Sequence, residues 1–239
     1  MDQYQKLKEI IHSAQKLVIF TGAGISVPSG IPDFRSQNGL YNTDSENDYS
    51  PEEIISHSFF LKYPKKFYDF YKKKMIYPNA LPNEAHRFFA SLNKPVTIIT
   101  QNIDGLHQQA GSQIVYELHG SVLRNYCMKC RKFHPVEKII DAIDIPYCEC
   151  GGMIKPDVVL YEESLDEDCI TKTIKAIIEA DVLIVIGTSL VVNPAASFIR
   201  LYQKDNLIIL NKETTSYDRY AKLVIHEDIT EIIKKIKSC

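Results

Sequence analysis

Three things are missing from this 239-residue sequence. Long apolar runs are the first: the longest purely aliphatic stretches are Val182–Ile186 and Leu207–Leu210, far short of the roughly 20 residues that cross a bilayer as a helix. A membrane span is therefore excluded. Charge of one sign is the second. With 28 Lys+Arg against 30 Asp+Glu the net charge is −2, which excludes a generally basic nucleic-acid binder, while 45% hydrophobic and 24% charged residues exclude a disordered chain. The third is an apolar N-terminal stretch, since residues 1–9 carry charges of both signs where a secretory signal needs a hydrophobic core. The chain reads as soluble and cytoplasmic. No internal repeat or low-complexity tract breaks it up, so one domain with inserts accounts for the length.

What is present alternates. Leu7, Ile10, Ile11 and Ala14 repeat at helical spacing and predict a first helix ending near Gln15. Residues 16–20 then read as a short buried strand, followed by a turn over Gly22, Ala23 and Gly24 and a long loop to residue 49. Ser50-Pro51-Glu52-Glu53 is a capping box with proline at the first helical position, and Pro82 or Asn83 opens a helix to Leu92. Strands follow at residues 96–100, 114–118, 156–160, 182–186, 207–210 and 223–225. A second capping box, Ser164 with Glu167, predicts a helix to about Ala180; Asn193-Pro194 starts one to Tyr202 and Asp228 opens the last. Nearly all-apolar strands alternating with helices imply an α/β fold, a parallel sheet covered on both faces, with ligands at the carboxyl ends of the strands. Two inserts, residues 36–92 and 124–156, interrupt the alternation and are expected to pack together as a small second module, leaving a large part of residues 1–35, 93–123 and 157–239.

Six cysteines in a reducing compartment argue for metal or catalytic use over disulfides. Cys127 and Cys130 form a CxxC, Cys148 and Cys150 a CxC. Four thiolates so spaced close a tetrahedron around Zn²⁺ with no open position, the signature of a structural site. A redox CxxC would explain only one of the two pairs. Cys169, on a predicted helix, and Cys239, the last residue, are not expected to be ligands.

The glycine turn after the first strand resembles a pyrophosphate-binding turn, but Val27 stands where a third glycine belongs and no acid follows about 20 residues on at a second strand end. Alone it is compatible with a nucleotide site or with a plain structural turn. Residues 29–36 add Phe34 and Arg35 directly beyond it, an aromatic that can shield a reacting ring and a guanidinium that can pair with phosphate. Later strand ends carry residues 100–104, His119-Gly120, residues 187–189 and Asn211, all polar.

These blocks, in this order, resemble the sirtuin family of NAD-dependent protein deacylases, of the bacterial type. The resemblance runs over Gly22-Ala-Gly-Ile-Ser26, Gly30-Ile-Pro-Asp-Phe-Arg35, Thr100-Gln-Asn-Ile-Asp104, His119-Gly120, the four cysteines, Pro156-Asp-Val-Val159 and Gly187-Thr-Ser-Leu190. It implies a Rossmann-like large part and a small zinc-bearing, helical module, with NAD and acyl-lysine meeting between them. On that resemblance Gly22, Ala23, Ser26 and Arg35 meet the phosphates, Phe34 the nicotinamide region, and Ile103 and Asp104 the carboxamide pocket. Gln101 and Asn102 hold the nicotinamide ribose, Thr188 and Ser189 the phosphate side, Asn211 the adenosine ribose and Asp228 the adenine end. Asn102 joins His119 in catalysis. His119 is the implied general base, for which an imidazole titrating near neutrality is suited, and the implied products are free lysine, nicotinamide and O-acyl-ADP-ribose. The acyl-lysine peptide is expected to add as a strand along Val158, Val159, Leu160 and Tyr161. Glu162 stands where the family usually has glycine, which alters the expected peptide contacts. Tyr71 and Lys74 sit where members that remove succinyl or malonyl groups carry a Tyr and an Arg three apart. Lysine lacks the two-pronged donor, so neutral acyl groups, chiefly acetyl, are expected. Two other functions fit parts of the pattern: protein ADP-ribosyl transfer from the same NAD site, and a zinc ribbon binding nucleic acid, for which Arg124, Lys129, Arg131 and Lys132 supply too little net basic surface.

Overall fold

The computed structural model describes residues 2–34, 39 and 49–239. Nine strands run as β1 (Leu17–Thr21), β2 (Val96–Thr100), β3 (Ile114–Glu117), β4 (Gly120–Cys127), β5 (Phe133–Pro135), β6 (Ile154–Val158), β7 (Val182–Ile186), β8 (Leu207–Leu210) and β9 (Leu223–Ile225) among the described residues. The helices around them are α1 (Gln3–Ser13), α2 (Pro51–Ile54), α3 (His57–Lys62), α4 (Pro64–Lys74), α5 (Glu84–Ala90), α6 (Leu106–Gln109), α7 (Glu137–Ile140), α8 (Glu167–Glu179) and α9 (Ile229–Ser238), with 3₁₀ turns at Ala23–Ile25, Val27–Ser29, Ala195–Leu201 and Asp218–Tyr220.

Six strands form one sheet in the order β3-β2-β1-β7-β8-β9, every pair parallel. Their pleat sorts side chains to two faces. Leu17, Ile19, Ile98, Ile184, Ile186, Ile208 and Leu210 pack under α1, α5 and α9; Val18, Phe20, Ile99, Leu183, Val185, Leu207 and Ile209 pack under α8 and the Ala195–Leu201 turn. All five residues of β1 and of β7 are buried, as a strand covered on both faces must be. The chain leaves β1 toward β2 and β3 on one side and later fills β7, β8 and β9 on the other. The order therefore reverses between β1 and β7, the point where such sheets open a crevice at their carboxyl ends.

The strand predicted at residues 156–160 is instead Ile154–Val158 and lies outside the parallel sheet. It pairs antiparallel with β4, which the sequence reading missed, in a second sheet ordered β5-β4-β6. Pro156 is tolerated there because β6 is an edge strand. The predicted capping box at Ser164 is also displaced: Asp166 caps α8, its carboxylate accepting from Cys169 N at 2.7 Å. The Ser50–Glu53 box forms as expected, with both reciprocal bonds. A third core joins the two inserts, uniting Ile54, Phe60, Phe67, Tyr68 and Tyr71 with Val122, Cys127, Ile139, Cys148, Ile154, Val158 and Leu160. Helix α5 packs elsewhere, with Ala85 and Phe89 against α1 and α9. No helix among the described residues is long and apolar enough to cross a membrane.

Candidate active site and cysteine centre

The crevice at the switch point is built by two glycine turns pressed together. Gly24 N donates to Gly187 O at 2.8 Å, and Gly22 N to Ile186 O at 3.0 Å. A Cβ on Gly24 would lie 2.7 Å from Gly187 Cα, and one on Gly187, at φ 60, would lie 2.5 Å from Ile25 N. Neither place can take a side chain, so the strand ends are held at backbone contact and the cleft opens between them. It has a volume of about 1020 Å³, at the upper end of the roughly 300–1,000 Å³ usual for small-molecule sites. It also reaches past Tyr71, Ile76, Leu160 and Tyr161, so the third core supplies one wall.

Gly22, Ala23, Ser26, Phe34, Gln101, Asn102, Ile103, Asp104, His119, Val158, Val159, Leu160, Tyr161, Thr188, Ser189 and Asn211 all line this cleft. Arg35 lies outside the described residues. Asp228 is not among the lining residues: its carboxylate caps α9 through Thr230 N at 2.8 Å and pairs with Lys212 at 2.8 Å. Lys212 and Glu213, which line the cleft beside Asn211, went unread in the sequence; their place directly past the end of β8 was the available signal.

The polar side chains are linked underneath. Asn102 Nδ2 donates to Ser26 Oγ at 3.0 Å, and Ser26 Oγ donates to Asp104 Oδ2 at 2.7 Å. Burial pushes the Asp104 carboxyl up, partly offset by the donors it receives from Leu106 N and Ser26. Gln101 Nε2 donates to Thr188 Oγ1 at 3.0 Å, tying β2 to β7 across β1. His119 Nδ1 stands 2.8 Å from Gln101 O. A carbonyl only accepts, so Nδ1 carries the proton and Nε2 keeps its lone pair. Burial draws the His119 pKa below the ordinary value, against the opposing effect of the Gln101 bond, and leaves the imidazole neutral at pH 7. Gly120 follows at φ 74, where a Cβ would meet Asp157 O at 1.9 Å; glycine here lets the backbone after His119 pass close against β6.

Val159 N donates to His119 O at 3.0 Å, Tyr161 N to Ile55 O at 3.1 Å and His57 N to Tyr161 O at 3.0 Å, so residues 158–161 bridge His119 and the helical insert. Glu162 adopts φ 76, a left-handed conformation that favours glycine, and its carboxylate accepts from Ser58 N and Ser58 Oγ at 2.8 and 2.9 Å. Those two bonds offset the strain of about 1–2 kcal/mol. Tyr71 is fully buried, stacked on Phe67 at 5.4 Å, and burial holds its hydroxyl pKa well above the usual value.

The four cysteines converge. Their Sγ atoms all lie within 4.8 Å of one another, with Cys127–Cys150 at 3.4 Å and Cys130–Cys148 at 3.7 Å. A tetrahedral metal with M–S bonds of ~2.3 Å places its sulfurs ~3.8 Å apart, so the set fits a four-thiolate ion. The backbone N–H groups of Lys129 and Cys130 both point at Cys127 Sγ at 3.4 Å, donors that favour the thiolate.

Comparison with known proteins agrees with this arrangement. The sequence profile of the Sir2 family matches residues 22–194. A protein from Clostridium perfringens named NAD-dependent protein deacetylase is 52% identical over 98% of each chain, and one of the same name from Staphylococcus aureus is 45% identical over 97% of each. Among solved structures, a Sir2 protein with deacetylated p53 peptide and 3′-O-acetyl ADP ribose superposes with a TM-score of 0.89 at 36% identity, covering 99% of this chain and 98% of that one. A Sir2 protein with p53 peptide and NAD⁺ gives 0.84 at 35%, covering 100% and 98%. The chain belongs to the Sir2 family.

Proposed function

We propose that this chain is an NAD-dependent protein-lysine deacetylase that works in the cleft between the parallel sheet and the insert module. The observation that carries the reading is His119, a neutral imidazole whose proton is fixed on Nδ1 by Gln101 O, set in a cleft of about 1020 Å³ into which the polar strand ends at Gln101, Asn102, Thr188, Ser189 and Asn211 converge. When bound, NAD supplies a ribose that loses nicotinamide and a hydroxyl that receives the acyl group.

The chain's own residues do the rest. His119 Nε2 takes the proton of that hydroxyl as it is acylated, and Gln101 O holds the ring in the accepting tautomer. Asn102 and Gln101 orient the ribose, and Ile103 and Asp104 receive the carboxamide. Ala23 N and the hydroxyls of Thr188 and Ser189 give donors to phosphate, while Gly22, whose N–H goes to Ile186 O, and Ser26, whose hydroxyl goes to Asp104, shape the turn beneath it. Asn211 faces the far ribose, and Arg35 and Phe34 act from the loop beyond the first turn. Val158, Val159, Leu160 and Tyr161 guide the peptide. The division into a large part, 1–35, 93–123 and 157–239, and a small module, 36–92 and 124–156, is proposed as well, except that α5 goes with the large part because Ala85 and Phe89 pack in its core; Zn²⁺ on Cys127, Cys130, Cys148 and Cys150 holds the module, and the spacing of the sulfurs supports it. Thiols kept for metal support a cytoplasmic location.

Tyr71 is buried in the third core and Lys74 lines the cleft; lysine offers a point charge where a two-pronged donor would be needed to hold a carboxylate, which favours acetyl over acidic acyl groups. The test is to incubate the chain with NAD and paired peptides carrying acetyl- or succinyl-lysine. The expected result is nicotinamide and deacetylated peptide in equal amounts, nothing without NAD, and faster removal of acetyl. Label from NAD left on protein with no peptide turnover would instead establish ADP-ribosyl transfer.

A further inference from the structure

We propose that His134 is a reserve ligand of the cysteine centre, taking a coordination position when one of the two solvent-facing thiolates is lost. The inference rests on the reading of that centre as a metal site. His134 lies in the middle of β5, between Phe133 and Pro135, which face solvent, while its own side chain turns inward and is 4% exposed. Its Nε2 is sealed from solvent and has no hydrogen-bond partner among the described residues. An unpaired buried polar nitrogen is costly, and neither the core nor the active-site cleft uses this one.

The ring stands next to the metal set. A ring nitrogen of His134, Cys148 Sγ and a Glu149 carboxylate oxygen lie within 4.8 Å of one another. In a tetrahedral site that mixes thiolate and imidazole, neighbouring ligand atoms are ~3.6 Å apart. His134 is so placed against Cys148 and against none of the other three sulfurs, so it reaches a coordination position by a side-chain rotation around Cys148 once an outer thiolate has gone. Glu149 is the weaker competitor, since it is exposed and already paired with Lys132 at 2.9 Å.

The cysteines divide accordingly. Cys127 and Cys148 are buried and anchored in the third core, whereas Cys130 and Cys150 are exposed and are the thiolates that a solvent-borne reagent reaches. Loss of an exposed one leaves two buried sulfurs, one outer sulfur and the imidazole, and three cysteines with one histidine are a sufficient structural zinc set. The small module would keep its metal through damage that empties an ordinary four-cysteine site.

Co²⁺ loaded into the metal-free full-length chain tests this, because sulfur-to-cobalt charge-transfer absorption counts the thiolates. The wild-type chain and His134→Ala are both expected to take up one Co²⁺ with a four-thiolate spectrum. At least one of Cys130→Ala and Cys150→Ala is expected to keep one Co²⁺ with a three-thiolate spectrum. Adding His134→Ala to that variant should weaken Co²⁺ at least about tenfold in competition with a chelating dye. If both cysteine variants lose the ion, or hold it equally well with and without His134, the reserve role is wrong while the metal site stands. If the wild-type chain takes up no Co²⁺, the metal reading falls and His134 with it.

Discussion

At the scale of single residues the proposed chemistry turns on which nitrogen of His119 holds the proton. Gln101 O at 2.8 Å fixes Nδ1–H, and burial lowers the pKa, so the ring stays a free base down to a pH below its ordinary value of about 6.5. Activity is lost when the base is protonated; the acid limb of kcat should therefore fall with an apparent pKa under about 6.5 and be flat through neutrality, as a pH–rate profile would show. An inflection above 7 would contradict this. His119→Asn keeps a side-chain N–H for the Gln101 carbonyl but offers no basic nitrogen. It should fold with an unchanged melting temperature and lose on the order of 10²–10⁴ of turnover. His119 was singled out because it follows a strand and precedes glycine inside a block that resembles the family, and the convergence of the four cysteines was legible from spacing alone. The tautomer was not, because it depends on a carbonyl 18 positions earlier whose direction is set by the fold.

At the scale of elements, β2, β7, β8 and β9 match the predicted bounds because short apolar runs closed by polar residues leave little ambiguity of period, while β1 runs Leu17–Thr21, one residue later than read. Strand β4 was missed for a physical reason. Its ladder with β6 breaks between Ser121 and Asn125, and Leu123 faces out at 47% exposure, so no clean alternation is written in the sequence. Helices α5 and α6 carry a pairing that patterns do not show. Asn83 N donates to His86 Nδ1, which makes His86 Nε2 the protonated nitrogen, and Thr21 Oγ1, already donating to Thr100, receives the Nε2 proton of His107. The rings meet edge to face at 4.8 Å. Burial lowers their pKa values to about 4 and about 3. Both are depressed in the folded state, so the unfolded chain binds more protons below about 6.5, and stability falls as pH drops from there toward 4. Each contributes on the order of 3 kcal/mol across that window. Urea unfolding of the His86→Asn, His107→Gln double variant should show a shallower loss of stability between pH 6 and 4.5 than the wild type; equal slopes would mean that other groups dominate.

At the scale of the whole molecule, the cysteine cluster with its core and the parallel sheet stand behind different walls of the same cleft. The parallel sheet closes through its own two cores, and its layered order followed from the alternation of strands and helices; the partnership of the two inserts was expected, but the antiparallel sheet that mediates it was not, since pairing direction leaves no mark on composition. Cys127 and Cys148 share the third core with Phe60, Tyr68 and Tyr71, and Tyr71, Val158 and Leu160 line the cleft. A structural four-thiolate zinc contributes on the order of 10 kcal/mol to the fold it organises. Stripping it should loosen the insert wall while the sheet, whose cores contain none of the four cysteines, keeps its structure. Chelation is thus expected to abolish deacetylation, to retain most far-UV circular dichroism, to add an early step to thermal unfolding, and to be reversed by added Zn²⁺. A metal-free chain that still turns over acetyl peptide at the native rate would show that the cysteine centre and the catalytic cleft are mechanically independent, and would leave the third core alone to position Tyr71 and Leu160.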